Sequence, residues 1–149
     1  MKKAILSALL CTAALQGAEH VKQGVEGLSE GIRSLLSQEM LQIEQGMNAM
    51  LSEIVRGDYD AVAVTATDIQ DSFIFKKSLT DAQRKELKGA LPPEFIALDR
   101  SFHETAGALA AAAEFGEKVK AVNLYADMMH KCVQCHTTFA TYKFTGAEE

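Results

Sequence analysis

The stretch Lys131-Cys132-Val133-Gln134-Cys135-His136 lies close to the C-terminus of a 149-residue chain. C-x-x-C-H is the attachment signature of covalent c-type haem, in which two thiols add to the two porphyrin vinyl groups and the adjacent imidazole binds the iron. The spacing has a geometric reason on a helix. Cys132, Cys135, His136 and Phe139 stand at i, i+3, i+4 and i+7, so all four can address one flat macrocycle. Two other readings of a bare C-x-x-C compete, half of a zinc site and a thioredoxin-type redox pair. Zinc needs two further ligands at motif spacing, and there is no second Cys pair. The thioredoxin reading needs a strand before the motif and a βαβ context, which this sequence lacks.

The N-terminus reads as a secretory signal over residues 1–18. Lys2-Lys3 is followed by the apolar run Ala4 to Leu15 and by small residues at Gly17 and Ala18. That run is too short to span a membrane. A lipoprotein reading through Cys11 competes, but Leu10 is bulkier than a lipidation site usually carries. Cleavage removes Cys11, so both remaining cysteines belong to the motif and none is left for a disulfide or a further metal ligand. Export to the periplasm fits the motif, because c-type haem is attached outside the cytoplasm. Losing two lysines of 15 basic residues leaves 13 against 20 acidic ones, a net charge of −7. An acidic, Trp-free chain argues against nucleic acid and against anionic membranes as partners. It favours small molecules or basic proteins.

Residues 19–149 suit a single domain. Leu36, Met40, Ile43, Met47, Met50 and Ile54 step by 4-3-4-3-4, predicting an amphipathic helix from about Ser29 to Arg56, frayed at its start by Gly24, Gly27 and Gly31. Gly57 stops it, and Asp58 is a good N-cap for the next helix. Tyr59, Val62, Ala66, Ile69 and Phe73 carry a second helix to about Lys77. Thr80-Asp81-Ala82-Gln83 is a capping box opening a short helix that ends near Gly89. Leu91-Pro92-Pro93 breaks the chain and starts a third long helix, with Phe95, Leu98, Phe102, Leu109 and Ala113 inward. Its small residues from Ala106 to Ala113 would let a neighbouring helix or a haem approach closely. Gly116 ends it. A fourth helix from Glu117-Lys118 to about Lys143 carries Val122, Tyr125, Met129 and the motif. The expected fold is all-α, an up-down-up-down four-helix bundle with a short extra helix between helices 2 and 3.

A C-x-x-C-H at the end of the last helix of a four-helix bundle resembles the cytochrome c prime family, the class II c-type cytochromes. The resemblance covers the whole mature chain in element order, and its one specific motif is CVQCH at 132–136. It implies one covalent haem held between helices near one end of the bundle. Cys132 and Cys135 would be the thioether anchors and His136 the proximal iron ligand. Electron-transfer members fill the sixth iron position with a Met of the first helix, and Met40 resembles that residue. A thioether is a soft, neutral partner for haem iron, and His/Met ligation raises the potential. A Met on a helical stripe is ordinarily core filler, and Met47 and Met50 share this stripe. One departure is Ala140, where many members carry Arg or Lys beside the proximal face; Lys143 or Lys131 would have to compensate.

The resulting expectation is a periplasmic monohaem electron carrier, working with redox partner proteins and with no catalytic side chain. The alternative is a five-coordinate protein that binds NO or CO at an open distal site. A peroxidase would want a distal His or Arg; Arg33 and His103 are the candidates, and neither has supporting spacing. His103, one step off the inner stripe, is the other possible iron ligand, though such a His is more often partly exposed and hydrogen-bonded, and His130 is expected to lie on the surface. The aromatics Phe73, Phe75, Phe102, Tyr125 and Phe139 are core by default, some lining the haem. Family members commonly pair through their first two helices, so a homodimer through helices 1 and 2 is a further option.

Overall fold

The computed structural model describes residues 25–72 and 79–140. Among them there is no strand. After a 3-10 turn at Val25–Gly27 come α1 (Glu30–Arg56), α2 (Tyr59–Asp71), α3 (Asp81–Ala90), α4 (Pro93–Glu114) and α5 (Lys118–Phe139). Four long helices and the short α3 make the expected helical bundle.

The boundaries follow the local chemistry. Ser29 caps α1 by accepting from the Ile32 amide, and Gly57 ends it in the left-handed region at φ 73°. Asp58 accepts from the Ala61 amide at 3.2 Å and starts α2. The capping box at α3 is complete: the Gln83 amide donates to Thr80 Oγ1, and the Thr80 amide to Gln83 Oε1. Pro93 opens α4, and Gly116, at φ 71°, turns the chain into α5. Two helix ends need comment. The helical pattern of α2 stops at Asp71 with Ser72 as cap, and the expected extension through Phe73 to Lys77 lies outside the described residues. Helix α5 ends at Phe139 rather than near Lys143, because Ala140 turns away at φ −134°, ψ 35°.

Short links make α1–α2 and α4–α5 antiparallel neighbours, and α2 packs most extensively on α4. The alanine-rich stretch of α4 serves that contact. Ala106, Leu109, Ala110 and Ala113 are buried with Val62, Ala66 and Ile69, and a Cβ on Gly107 would overlap the Gln70 side chain. Backbones therefore approach closely along α1–α2, α2–α4 and α4–α5. The remaining edge of the square, α1 against α5, has no such continuous approach.

Two apolar clusters fill the bundle. One holds Ile43, Met47, Met50, Phe102, Leu109, Tyr125 and Met128. The other joins Leu28, just before α1, and Ile32 and Leu36 of α1 to Leu87 and Leu91 and to Phe95. That second cluster sits where α1 begins and α5 ends, closed by α3. The Ser29 amide donates to Glu86 Oε1 at 2.6 Å and holds this cap in place.

Candidate functional site

The register between α1 and α5 is set by one bond: the Tyr125 hydroxyl donates to the Met47 carbonyl at 3.0 Å. The opposite flank of α1 faces α2, since Gly46 abuts Ile69 and Thr65, and Thr65 Oγ1 donates to Glu53 Oε1 at 3.1 Å. Met40, two turns before Met47, shares the flank directed at α5. On α5, Cys132 stands two turns after Tyr125 and His136 three, all on one face. Lys131, by contrast, points to α4, where Nζ reaches the Ser101 carbonyl and Thr105 Oγ1. Since the helices run in opposite directions, two turns from the Tyr125–Met47 bond along each bring Met40 level with Cys132 and one turn from His136.

Packing agrees with that placement. Met40 is half-buried and touches both clusters; Cys132 packs on the first, Cys135 and Phe139 on the second. The Phe139 ring meets Phe95 edge-to-face at 5.3 Å. The predicted anchors, proximal residue and distal candidate thus gather at the loose α1–α5 edge, at the end closed by α3.

The thiols are not poised for nucleophilic or chelating work. Burial pushes Cys132 up, and burial with the nearby Asp99 and Cys132 pushes Cys135 up to about 12. A redox-active C-x-x-C works the other way, with a lowered pKa. Among the described residues no three His, Cys, Asp or Glu side chains converge where a bare metal ion could sit. The residue set fits a group that takes two thioether bonds and one imidazole, beside the apolar cluster that Met40, Phe95 and Phe139 join.

Beside these residues lies a buried polar cluster that the periodicity did not reveal. His103 is not partly exposed but 2% exposed, because α4 packs against α2 on one side and α5 on the other, which widens its buried face. Its Nδ1 lies 2.7 Å from the Ile69 carbonyl, and its Nε2 is 3.7 Å from both Glu39 Oε1 and Asp99 Oδ1. Glu39 and Asp99 are themselves buried, and burial raises Asp99 to about 7. Spacing could have flagged both acids. Glu39 falls between Leu36 and Ile43 at i+3 and i+7, and Asp99 between Phe95 and Phe102 at i+4 and i+7. Of the other candidates, Arg33 and His130 are exposed, Phe102 and Tyr125 are core, and Lys131 is committed to α4 rather than to the motif face. Residues 1–24, with the expected signal, and Phe73, Phe75 and Lys143 lie outside the described residues.

No family model, curated protein or solved structure matches this chain. No helix among the described residues is long and apolar enough to cross a membrane.

Proposed function

We propose that the chain is a periplasmic monohaem c-type cytochrome that carries electrons, resembling the methionine-ligated members of the cytochrome c prime family. The observation that supports this most directly is the placement of Met40 level with the C-x-x-C-H segment across the loose α1–α5 edge. Cys132 and Cys135 would hold the haem covalently, through thioether bonds to its two vinyl groups. The His136 imidazole and the Met40 sulfur would supply the two protein donors to its iron. The haem supplies a one-electron Fe(III)/Fe(II) couple.

The protein's part is to hold these ligands. Helices α4 and α5 fix the proximal side, and the Tyr125–Met47 bond fixes the height of Met40 against it. Phe95, Phe139 and Leu36 supply an apolar wall beside the motif cysteines. Ligands held by a packed bundle would change little between redox states, which would lower the reorganisation needed for outer-sphere transfer. The signal-like residues 1–18 supply the export route that haem attachment requires.

The optical spectrum of the exported protein is the test. Haem that resists acid-acetone extraction, with a low-spin ferric spectrum and the weak far-red band of a Met–iron bond, is expected. Met40→Ala should turn it high-spin and open to carbon monoxide after reduction. A high-spin wild-type spectrum would replace the carrier by the gas-binding alternative, and extractable haem would end the attachment reading.

A further inference from the structure

We propose that His103 and Glu39 are positioning residues that aim Met40. The imidazole of α4 holds the Glu39 carboxyl of α1, and so fixes the rotation of the part of α1 that carries Met40. This rests on the reading of Met40 as a donor to haem iron, and adds to it what holds that donor in place.

That part of α1 depends on side chains for its placement. The contacts of α2 on α1, Gly46 with Ile69 and Glu53 with Thr65, fall in the second half of the helix. Among the described residues, α1 has no continuous backbone approach to α4 or α5. The Ser29–Glu86 bond holds its start, and the Tyr125–Met47 bond its middle. A helix carbonyl points along the helix axis, so the Tyr125 bond sets height and leaves rotation to other contacts. Rotation is what aims a side chain. Successive residues turn by about 100°, so whatever fixes Glu39 also fixes the direction of Met40 beside it.

His103 has the geometry for this task. The Ile69 carbonyl can only accept, so the 2.7 Å contact puts an imidazole hydrogen on Nδ1. Ile69 lies in the last turn of α2, where main-chain carbonyls run out of helical donors. With the ring oriented in this way, Nε2 faces Glu39 Oε1 of α1 and Asp99 Oδ1 of α4, 3.7 Å from each. One imidazole therefore joins α2, α4 and α1. Stability alone is a poor reason for such a cluster, because the cost of burying polar and charged atoms largely cancels their attraction. Apolar side chains of equal volume would hold the helices as well. What a carboxyl facing an imidazole adds is direction, which its neighbours Leu36 and Ile43 on the same face of α1 do not supply.

Glu39→Leu in the haem-loaded mature chain is the decisive variant. Leucine relieves the buried carboxyl, so the thermal midpoint should hold or rise. The Met–iron band should nevertheless be lost, with the ferric haem turning high-spin. Glu39→Gln keeps a polar group facing Nε2 and should retain the band. His103→Asn keeps a donor at the place of Nδ1 but falls short of Glu39, and should lose it. Amide hydrogen exchange reads the tether separately from the iron. In His103→Asn it should quicken at residues 36–43 by about tenfold or more, what loss of one buried polar contact is worth, and stay unchanged at residues 46–56. A wild-type spectrum without the Met–iron band would end the Met40 reading and this proposal with it. With the band present in wild type, a Glu39→Leu protein that keeps it, or loses it only by unfolding, would overturn the proposal alone. So would exchange in His103→Asn that is unchanged, or that quickens alike along the whole of α1.

Discussion

The Tyr125 hydroxyl of α5 donates to the Met47 main-chain carbonyl of α1 across 3.0 Å, inside a core where both residues are almost fully buried. This is a cross-brace on the edge of the bundle that lacks continuous backbone contact. Tyr125→Phe keeps the ring and removes the donor, so it should cost about 1 kcal/mol. Urea denaturation should show a lower midpoint at unchanged slope, and the Met–iron band should weaken if the brace sets the height of Met40.

Asp99 predicts a pH dependence. Its carboxyl is raised from 3.8 to about 7 by burial, so the folded state holds the proton more tightly than the unfolded state. The associated stability is fully present below about pH 4 and is lost as the pH rises through about 7. A shift of this size corresponds to about 4 kcal/mol. In Asp99→Asn this dependence disappears. The stability difference between variant and wild type should therefore move in the variant's favour between pH 4 and pH 8, as chemical denaturation at both values would show.

Cys132 and Cys135 predict a labelling pattern in haem-free protein. With Cys135 at about 12, its thiolate is scarce at pH 8, so alkylation of Cys135 in the folded chain should be slower than in the denatured chain by about a thousandfold, with Cys132 also slowed. Equal rates would place the thiols in open solvent.

Gly107 predicts a packing penalty. Its Cβ position would overlap the Gln70 side chain, at the most extensive helix contact in the bundle. Gly107→Ala gains helix propensity but forces Gln70 aside, and Gly107→Val must also separate α2 from α4. Destabilisation should rise from near neutral for Ala to about 1–3 kcal/mol for Val, read from thermal midpoints.

Much of this was legible from residue order. Local devices announce themselves: Gly57, Asp58, the Thr80–Gln83 box, Pro93 and Gly116 each act where the sequence puts them, because caps and turns depend on a few adjacent residues. Met40 and the motif cysteines pack against shared apolar clusters, on helices whose periods the sequence carries. What the stripe misassigned was the centre of α1. Leu36, Glu39 and Ile43 point most directly inward, and Met40 sits on the adjacent flank, half-buried. Hydrophobicity gives no weight to a buried carboxylate, and its partner His103 comes from a distant helix, so the polar cluster needed three-dimensional neighbours to appear. The unequal edges of the square were likewise invisible, since they depend on which helix pairs carry small residues.

The open edge also bears on the order of assembly. Helix α1 and helix α5 stand at opposite ends of the helix order, while the three tight contacts join helices that follow one another, apart from the short α3. Local contacts form ahead of those that close a long loop. The chain can therefore build three sides of its scaffold while Cys132 and Cys135 are still accessible, and draw α1 across last. Once that last side closes, burial silences the thiols, so a prosthetic group would have to be attached while the bundle is still ajar.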